Sequence, residues 1–297
     1  MNNNIFISII INCYNGEKFL DEALSSVLNQ SYQNWELIFW DNQSSDNSLD
    51  VVKSFKHDKF NYFYSPTHTH LGKARALAFE KTKGDWIGFL DCDDIWLPEK
   101  LQNQVSVINS FEGNLGLLYS KCEFFRHRLN IYKKVIRESY IQPCNELPTY
   151  KVSKELFRGN FIPFPSVLYK RDAIIKAGKF SQYKFSPDYF LNLSISLNYD
   201  VFAIDKVLCL YRYHKSNLSK SIKEIGILEN IEIIKKLVPK ENYEAFSRSH
   251  KTRYLIYLLS NFKIKRAYKF IKKINLLNLF LGFIDICLHI KRLKIKN

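Results

Sequence analysis

The first ninety residues alternate continuous apolar runs with segments of helical periodicity. Apolar runs cover 5–11, 35–40 and 85–90, and their β-branched and aromatic content is typical of strands buried on both faces. The stretch 20–30 instead places its apolar side chains on one helical face, and 72–84 is a helix pattern ended by a glycine. This alternation predicts an α/β fold with a Rossmann-like, mostly parallel central sheet flanked by helices.

Polar loops follow three of the predicted strands, at 12–17, 41–46 and 91–94. In parallel sheets, ligands bind beyond the carboxyl ends of the strands. We therefore expect these three loops to converge on one crevice.

Beyond residue 98 the pattern mixes strands and helices without an internal repeat. Helices are predicted at 98–110, from 171 and at 188–198, and strands near 115–120, 131–136, 165–169, 199–204 and 207–213. Pro143 and Pro148 favour a mobile loop over 137–152. Helical patterns rich in Lys, Ile and Leu follow residue 221, so we expect a C-terminal helical extension.

The composition is that of a globular protein with an unusual charge. Of the 297 residues, 46% are hydrophobic and 25% charged, and the formal net charge is +15. Residues 263–297 contain ten Lys or Arg and one acid, so this tail carries +9 and the rest of the chain +6. Such a tail would attract anionic lipid, nucleic acid or phosphorylated substrates, whereas the body needs no basic binding face.

Cysteine usage and hydropathy favour a cytoplasmic protein. The six cysteines are scattered without a C-x-x-C pair, which predicts free thiols in a reducing compartment. The N-terminus lacks a basic region typical of signal peptides, and no run of 18 apolar residues predicts a membrane-spanning helix.

The strongest local signal for chemistry is the stretch 89–96, FLDCDDIW, which holds Asp91, Asp93 and Asp94. Clustered carboxylates at a strand end suit Mg²⁺ or Mn²⁺, and in an extended D-x-D the first and third side chains share one side. The alternative is a solvated loop in which Asp94 caps the next helix. These eight residues leave both interpretations open.

Other polar residues are ambiguous by themselves. Asp41 is either a turn former or an acceptor for a base or ribose, and Arg75 is either a surface arginine or a phosphate partner at a helix start. Asp188, after Pro187, fits a surface acid stabilised by a helix dipole, and His214 fits an unpartnered loop histidine. P-loop, dinucleotide-binding, zinc-protease and serine-hydrolase motifs are absent from the sequence.

Three stretches taken together resemble the family 2 glycosyltransferases, which are inverting enzymes with the glycosyltransferase A-type fold. They are ISIIINCYNGEKFLDEALSSVLNQSYQNWELIFWDNQSSDNS, HLGKARALAFEKTKGDWIGFLDCDDIWLPEKL and, more loosely, SPDYFLNLSISLNYDVFAIDKVLCLYRYHKSNLS, and the likeness covers about 5–219. The resemblance implies a glycosyltransferase domain at 1–220 and a basic helical region at 221–297. It also implies sugar transfer from a nucleotide-diphosphate sugar, usually a UDP-sugar, to a glycan or lipid-linked acceptor, in bacterial surface polysaccharide synthesis.

The resemblance assigns the nucleotide site to specific positions. Tyr14 and Glu17 would line it, together with Asn12, which stands where the family usually has proline. Asp41 would hold the base, usually uracil, and Arg75 would lie in the segment that closes over the nucleotide.

The metal and the general base are likewise implied by the resemblance. Asp91 would lie near the ribose and the metal, Asp93 would bind a diphosphate-bound Mn²⁺ or Mg²⁺ directly, and His214 would lie near them. Asp188 would be the general base that takes a proton from the acceptor hydroxyl. Pro187 stands where the family usually has glutamate, which leaves the second carboxylate of that pair in place.

The tail and the rival interpretations complete the prediction. Asn278, Gly282, Asp285 and His289 form a narrow polar stripe on an otherwise apolar helix. That helix would pack on the catalytic domain or a dimer partner, or lie on an anionic membrane at the inner face of the cell membrane. A silent nucleotide- or glycan-binding module is the alternative function, and nucleic-acid binding is not expected without a base-reading motif.

Overall fold

The computed structural model describes residues 4–129, 135–141, 149–178, 180, 182–218 and 223–293. Its centre is a nine-stranded mixed sheet with the order β3-β2-β1-β4-β8-β6-β9-β5, and β7 pairs with β6. The strands are β1 (Ile7–Cys13), β2 (Trp35–Asp41), β3 (Phe60–Tyr64), β4 (Trp86–Asp91), β5 (Ile95–Trp96), β6 (Leu115–Leu129), β7 (Val135–Ile141), β8 (Leu168–Lys170) and β9 (Asp200–Arg212).

Helices cover the sheet and continue beyond it. They are α1 (Glu17–Leu28), α2 (Ser48–Ser54), α3 (Leu71–Phe79), α4 (Lys100–Ser110), α5 (Ser153–Arg158), α6 (Arg171–Ala177), α7 (Pro187–Asn198), α8 (Lys223–Leu237), α9 (Tyr243–Ser260), α10 (Ile264–Ile271) and α11 (Leu276–Leu293). No helix in the described ranges is both long and apolar enough to cross a membrane.

The continuous apolar run of β1 is explained by burial on both faces of the sheet. Ile9 and Ile11 pack with Leu20 of α1 in one core cluster. Ile10 points to the opposite side and packs with Ala74 of α3 in the other cluster. Because successive side chains alternate between faces, a strand covered by helices on both sides needs apolar residues at every position.

The first half of the sheet confirms the predicted parallel arrangement. β1 pairs in parallel with β2 and β4, and β2 pairs in parallel with β3. The second half is mixed, because β8 is antiparallel to both β4 and β6, while β6 and β9 are parallel.

Several predicted boundaries in the second half were wrong. The loop expected over 137–152 is partly strand, since β7 runs to Ile141, and 142–148 lie outside the described residues. The strand expected at 131–136 is not among these errors, because 135–136 belong to β7 and 131–134 lie outside the described residues. The two strands expected at 199–204 and 207–213 are one strand, β9. Pairing with a long partner, β6, decides these boundaries, because strand formation depends on cross-strand context more than on local preference.

The C-terminal helices pack on the preceding residues. Ile233 and Ile234 of α8 share a core cluster with Tyr189 of α7, and the ring of Phe246 on α9 stacks on that of Phe157 on α5 with centroids 4.2 Å apart. The predicted division into 1–220 and 221–297 stays a prediction.

The cysteines agree with the prediction of free thiols as far as they are described. The free thiols are Cys13, Cys92, Cys122, Cys209 and Cys287. Cys144 lies outside the described residues.

Candidate active site

The parallel register of the first strands brings the three predicted loops together. Cys13 of β1 lies opposite Asp41 of β2, and Asn12 lies opposite Asp91 of β4. The backbone N–H of Asn15 donates to Ser44 Oγ at 2.9 Å, which ties the first loop to the second. The expected convergence of these loops at the carboxyl edge of the sheet is confirmed.

Gly16 closes the contact between the first loop and the acidic loop. A Cβ at this position would lie 2.8 Å from the sulfurs of both Cys13 and Cys92. Cys92 is the central residue of the D-C-D stretch, so the close approach of these loops requires a residue without a side chain at position 16.

Asp41 lies buried at the end of β2, where both of its carboxylate oxygens have partners. Oδ1 accepts the backbone N–H of Ser44 at 2.7 Å, and Oδ2 accepts the hydroxyl of Tyr62 at 2.9 Å. Burial and the charge of Asp41 raise the pKa of Tyr62, so this hydroxyl remains a donor. Asp41 therefore shapes the turn after β2, as one of its two interpretations held, and its contact with a base or ribose stays a prediction.

The remaining residues of the first loop differ in their surroundings. Tyr14 is 54% exposed, and its ring centroid lies 4.3 Å from that of His68. Glu17 accepts both the backbone N–H and the side-chain amide of Asn47 at 2.8 Å, so it ties the first two loops together. Among the described residues, nothing bonds to the buried Nδ2 of Asn12, which leaves an unused donor beside the acidic loop.

The acidic cluster is compact and partly buried. Asp91, Asp93 and Asp94 can each present an oxygen within 4.8 Å of the others. Asp94 is 1% exposed; its Oδ1 accepts the backbone N–H of Arg212 at 2.9 Å, and its buried Oδ2 has no partner within the described ranges. Burial, and then the neighbouring carboxylates, raise the pKa of Asp94 well above its usual range.

This environment contradicts one of the two interpretations of the acidic stretch. The solvated-loop interpretation is wrong for Asp94, because this side chain is buried and Glu99, not Asp94, precedes α4 as its N-cap residue. Closely spaced carboxylate oxygens with an unsatisfied buried oxygen are a donor set that fits a divalent cation such as Mg²⁺ or Mn²⁺.

His214 reaches the acidic cluster from 121 residues away in sequence. Its Nε2 lies 2.7 Å from Asp93 Oδ2, and its Nδ1 lies 2.9 Å from the Ser216 hydroxyl. Burial and Asp91 raise the pKa of Asp93, and the bond to His214 opposes that rise. Arg212 also contacts the cluster, since its Nε donates to the Asp93 carbonyl at 2.9 Å.

Arg75 is paired with Asp91 of the acidic cluster, and its positive charge also acts on the carboxylate of Asp188. Its Nη2 is 2.7 Å from Asp91 Oδ1, and its guanidinium lies 3.8 Å from the ring centroid of Phe164. The side chain is 5% exposed, so it is a buried cation and not the surface arginine that was the alternative.

Asp188 occupies the first turn of α7 and is half-buried. Its Oδ2 accepts the side-chain amide of Asn160 at 3.0 Å. Burial raises the pKa of Asp188, whereas the positive charge of Arg75 opposes that rise. The interpretation as an exposed surface acid is therefore wrong, and the electrostatic influence of Arg75 extends to both Asp91 and Asp188.

Sequence reasoning missed several residues that complete this region. They are Tyr62, Asn160, Arg212 and Asn217. Each contacts directly a predicted site residue that is distant in sequence, and no periodicity or motif marks the four residues. Asp94 was noticed within the acidic stretch but received no site role.

Comparison with known proteins agrees with this picture. The model of the family described as "Glycosyl transferase family 2" matches residues 8–154. An uncharacterized glycosyltransferase of Haemophilus influenzae is 32% identical over 170 residues, which are 57% of this chain and 63% of that protein. The Escherichia coli UDP-Glc:alpha-D-GlcNAc-diphosphoundecaprenol beta-1,3-glucosyltransferase WfgD is 34% identical over 43% of this chain and 50% of that protein. The matches thus span about half to two thirds of these relatives' length.

Solved structures share the fold. Staphylococcus aureus TarS 1–349 in complex with UDP-GlcNAc superposes with a TM-score of 0.63 at 16% identity, covering 97% of this chain and 82% of that one. The mannosyltransferase PcManGT from Pyrobaculum calidifontis, in complex with GDP-Man and Mn²⁺, gives a TM-score of 0.59 at 13% identity, covering 96% and 81%. With its glycosyltransferase A-type sheet and its C-terminal helices, the chain belongs to glycosyl transferase family 2.

Proposed function

We propose that this protein is a metal-dependent, inverting glycosyltransferase that transfers a sugar from a UDP-sugar to a hydroxyl of a glycan or lipid-linked acceptor. The observation that carries the proposal is the cluster of Asp91 and Asp93 at the carboxyl end of the parallel strands, where Arg75 pairs with Asp91 and its charge also acts on Asp188. UDP as the nucleotide is supported by the name of the E. coli relative and by the UDP-GlcNAc complex of TarS.

The first and second loops would bind the nucleoside. Asp41, fixed by Tyr62, is suited to accept an N–H of the uracil base, and the exposed ring of Tyr14 is suited to cover it. The unused amide donor of Asn12 is suited to a ribose or phosphate oxygen. Glu17 would act indirectly by holding the loops together.

Asp91, Asp93 and His214 would hold the divalent cation, Mn²⁺ or Mg²⁺. When bound, the cation supplies Lewis-acid stabilisation of the negative charge on the departing diphosphate. Asp93 would bind it directly, and Asp91 would lie between it and the ribose. Arg75 would keep Asp91 oriented through their 2.7 Å ion pair.

Asp188 would act as the general base. Its carboxylate would accept the proton of the acceptor hydroxyl while that oxygen bonds to the anomeric carbon. The bond from the anomeric carbon to the diphosphate oxygen breaks at the opposite face, and the leaving diphosphate keeps the electron pair. One displacement without a covalent intermediate inverts the anomeric configuration.

A bacterial surface polysaccharide is the proposed product. The E. coli relative is named for a diphosphoundecaprenol-linked acceptor, and a Bacillus subtilis relative, 31% identical over 33% of this chain, is named as a putative teichuronic acid biosynthesis glycosyltransferase. We propose a lipid-linked glycan as the acceptor and a cytoplasmic protein that works at the inner face of the membrane.

The orientation of α11 supports this membrane contact. Its polar stripe faces inward: Asp285 is buried and paired with Arg158 and Arg248 at 3.1 and 2.5 Å. Gly282 lies so close to α9 that a Cβ would meet Thr252 and the Arg248 carbonyl. The side chain of His289 lies outside the described set.

Because the polar stripe packs inward, apolar side chains of α11 are left on the surface. They are Leu276, Leu277, Phe280 and Phe283, which are 54–74% exposed. Exposed lysines precede them at 265, 269, 272 and 273. Apolar side chains beside lysines that form no ion pair with the described residues suit an anionic membrane surface.

Flotation with vesicles of phosphatidylglycerol and phosphatidylcholine tests this contact. We expect binding that weakens as salt rises, and loss of binding in the double variant Phe280→Ser, Phe283→Ser. Ile175→Ser, which changes a 51% exposed apolar residue on α6, is the matched control and should still bind. If the double variant floats as well as the wild type, the exposed apolar side chains of α11 are not the membrane-binding surface. If the wild type forms dimers in solution and the double variant does not, these side chains form a dimer interface instead.

Calorimetric binding of UDP tests the donor site. We expect Mn²⁺ to increase the affinity of the wild type, and Asp93→Ala to abolish this increase, a loss of about 10–100-fold. Asp172→Ala, an exposed acid on α6, is the control and should behave as the wild type. Tight UDP binding that is indifferent to both metal and Asp93 would overturn the metal assignment. Metal-dependent binding without turnover of any UDP-sugar would favour the silent module.

A further inference from the structure

The side chain of Asn160 contacts Asp188, the proposed general base, and has no role in the proposed function described above. Its Nδ2 donates to Asp188 Oδ2 at 3.0 Å, although the two residues lie on different segments of the chain. We infer that Asn160 is a positioning residue that fixes the Asp188 carboxylate through a relay of side-chain amides anchored on the sheet. This inference rests on the proposed function of Asp188.

The orientation of the Asn160 amide is determined by its own neighbours. Its Oδ1 accepts the backbone N–H of Ile162 at 3.3 Å and the Nδ2 of Asn192 at 3.2 Å. A backbone N–H can only donate, so the atom facing Ile162 must be the oxygen. The NH₂ group is therefore directed at Asp188, and it can only donate to that carboxylate.

The relay continues from Asn160 into the core. Asn192 is fully buried on α7, one helical turn after Asp188. Its Oδ1 accepts the hydroxyl of Tyr169 at 2.7 Å, and Tyr169 is a fully buried residue of β8. Burial raises the pKa of Tyr169, so the hydroxyl stays protonated and donates. The side-chain amides of Asn192 and Asn160, which link Tyr169 to Asp188, thus each have one permitted orientation.

The charged groups around Asp188 explain why such a donor matters. Burial and the charge of Asp91 raise the pKa of Asp188, whereas Arg75 and the backbone N–H groups of Asp188 and Tyr189 favour the carboxylate. An additional N–H donor stabilises the charged form as well and restricts rotation of the carboxylate. Loss of the donor should leave a base that is harder to ionise and less well aligned.

The first measurement is the titration of Asp188 itself, which needs no acceptor. In protein labelled with ¹³C at the aspartate carboxyls, the Asp188 signal is identified by its absence in Asp188→Asn. We expect Asn160→Ala to raise the Asp188 pKa by about one unit, the size expected for a hydrogen bond to a charged group. Asn198→Ala, an exposed asparagine at the end of the same helix, should leave it unchanged.

The second measurement is UDP release from the UDP-sugar that the wild type turns over fastest. Asn160→Ala should lower kcat about 10-fold or more, a part of the full general-base contribution. The KM for the donor and the calorimetric affinity for UDP should not change. The acid limb of the pH–rate profile should move to higher pH, so that raising the pH partly restores the rate.

The outcomes separate this inference from the proposed function. If Asp188→Asn keeps the wild-type rate, the base assignment is wrong. If Asp188→Asn is inactive while Asn160→Ala keeps both the rate and the Asp188 titration, only the role of Asn160 is overturned. The role of Asn160 would also be overturned if Asn160→Ala lowered the UDP affinity and the Tm but left the acid limb of the pH–rate profile unchanged. That result would mark a structural role. If Asn160→Ala does not fold, Asn160→Ser gives the same comparison with a shorter donor.

Discussion

The proposed active site has two halves. We call the part built by β1 to β4 and the loops 12–17, 41–48 and 91–94 the donor half, and the part around Asp188 on α7 the acceptor half. In the donor half, parallel strands in register set the loops side by side, and loop-to-loop hydrogen bonds join them. In the acceptor half, Asp188 depends on Asn160, and on Asn192 and Tyr169 behind it. The residues of the donor half are therefore positioned by the topology of the sheet, whereas Asp188 in the acceptor half is positioned by side-chain contacts.

The two halves also differ in their electrostatics. The acidic cluster concentrates negative charge and fits a cation, whereas Asp188 is a single carboxylate whose pKa is raised by burial. Arg75 joins the halves, because it is paired with Asp91 and its charge also lowers the pKa of Asp188. A change confined to one half should therefore leave the binding or chemistry of the other half measurable.

Asp188→Asn is the largest expected effect and the sharpest way to separate the halves. An amide cannot accept the acceptor's proton as the carboxylate does, so kcat should fall by about 10²–10⁴-fold. UDP affinity in the presence of Mn²⁺ should not change, as measured by calorimetry. A parallel loss of UDP binding would show that the halves are not independent.

The wild-type pH profile is the next test. Burial raises the pKa of Asp188 above the usual range of a carboxyl, so the active, ionised form is lost as pH falls through that raised pKa. Below it, kcat/KM should fall about tenfold per pH unit, whereas metal-dependent UDP binding should not follow the same curve. If the acid limb of this pH–rate profile gave the ordinary aspartate pKa, about 3.9, the proposed effect of burial on Asp188 would be contradicted.

Gly16→Ala perturbs the donor half alone. The added methyl would meet the sulfurs of Cys13 and Cys92 at 2.8 Å, and the expected cost is about 1–3 kcal/mol in the free energy of unfolding. UDP affinity should fall with it, because the loops must separate. Gly226→Ala on α8 is the control, because among the described residues an added Cβ would meet only the Ser186 hydroxyl, at 3.9 Å. This change should stabilise the protein by about 0.5–1 kcal/mol in urea unfolding.

Tyr62→Phe is the smallest expected effect. It removes one hydrogen bond to Asp41, whose other oxygen keeps the Ser44 N–H, so the free energy of unfolding should fall by about 1 kcal/mol. UDP affinity should decrease only a few-fold by calorimetry. Tyr64→Phe, which changes a 56% exposed neighbour on the same strand, should change neither quantity. Equal effects of both variants would remove the role given to Tyr62.

Prediction from sequence succeeded where the signal was local. The apolar runs of β1, β2 and β4 and the polar loops after them were sufficient to predict that these loops meet, because strand ends in a parallel sheet share one edge. The family resemblance added roles for Asp41, Arg75, Asp93, Asp188 and His214. Those roles stay predictions, but the structure brings Asp93 and His214 to hydrogen-bond distance across 121 residues.

The sequence by itself determined the strand–helix alternation, the acidic loop and the polar stripe of α11, since each is a pattern within a short segment. Tertiary structure decided that β6 and β9 continue as long strands, that Asp94 is buried against Arg212, and that the polar stripe faces inward. It also decided the Tyr169–Asn192–Asn160–Asp188 relay. The physical reason is that burial and pairing depend on which segments meet, and side chains far apart in sequence carry no shared local signal.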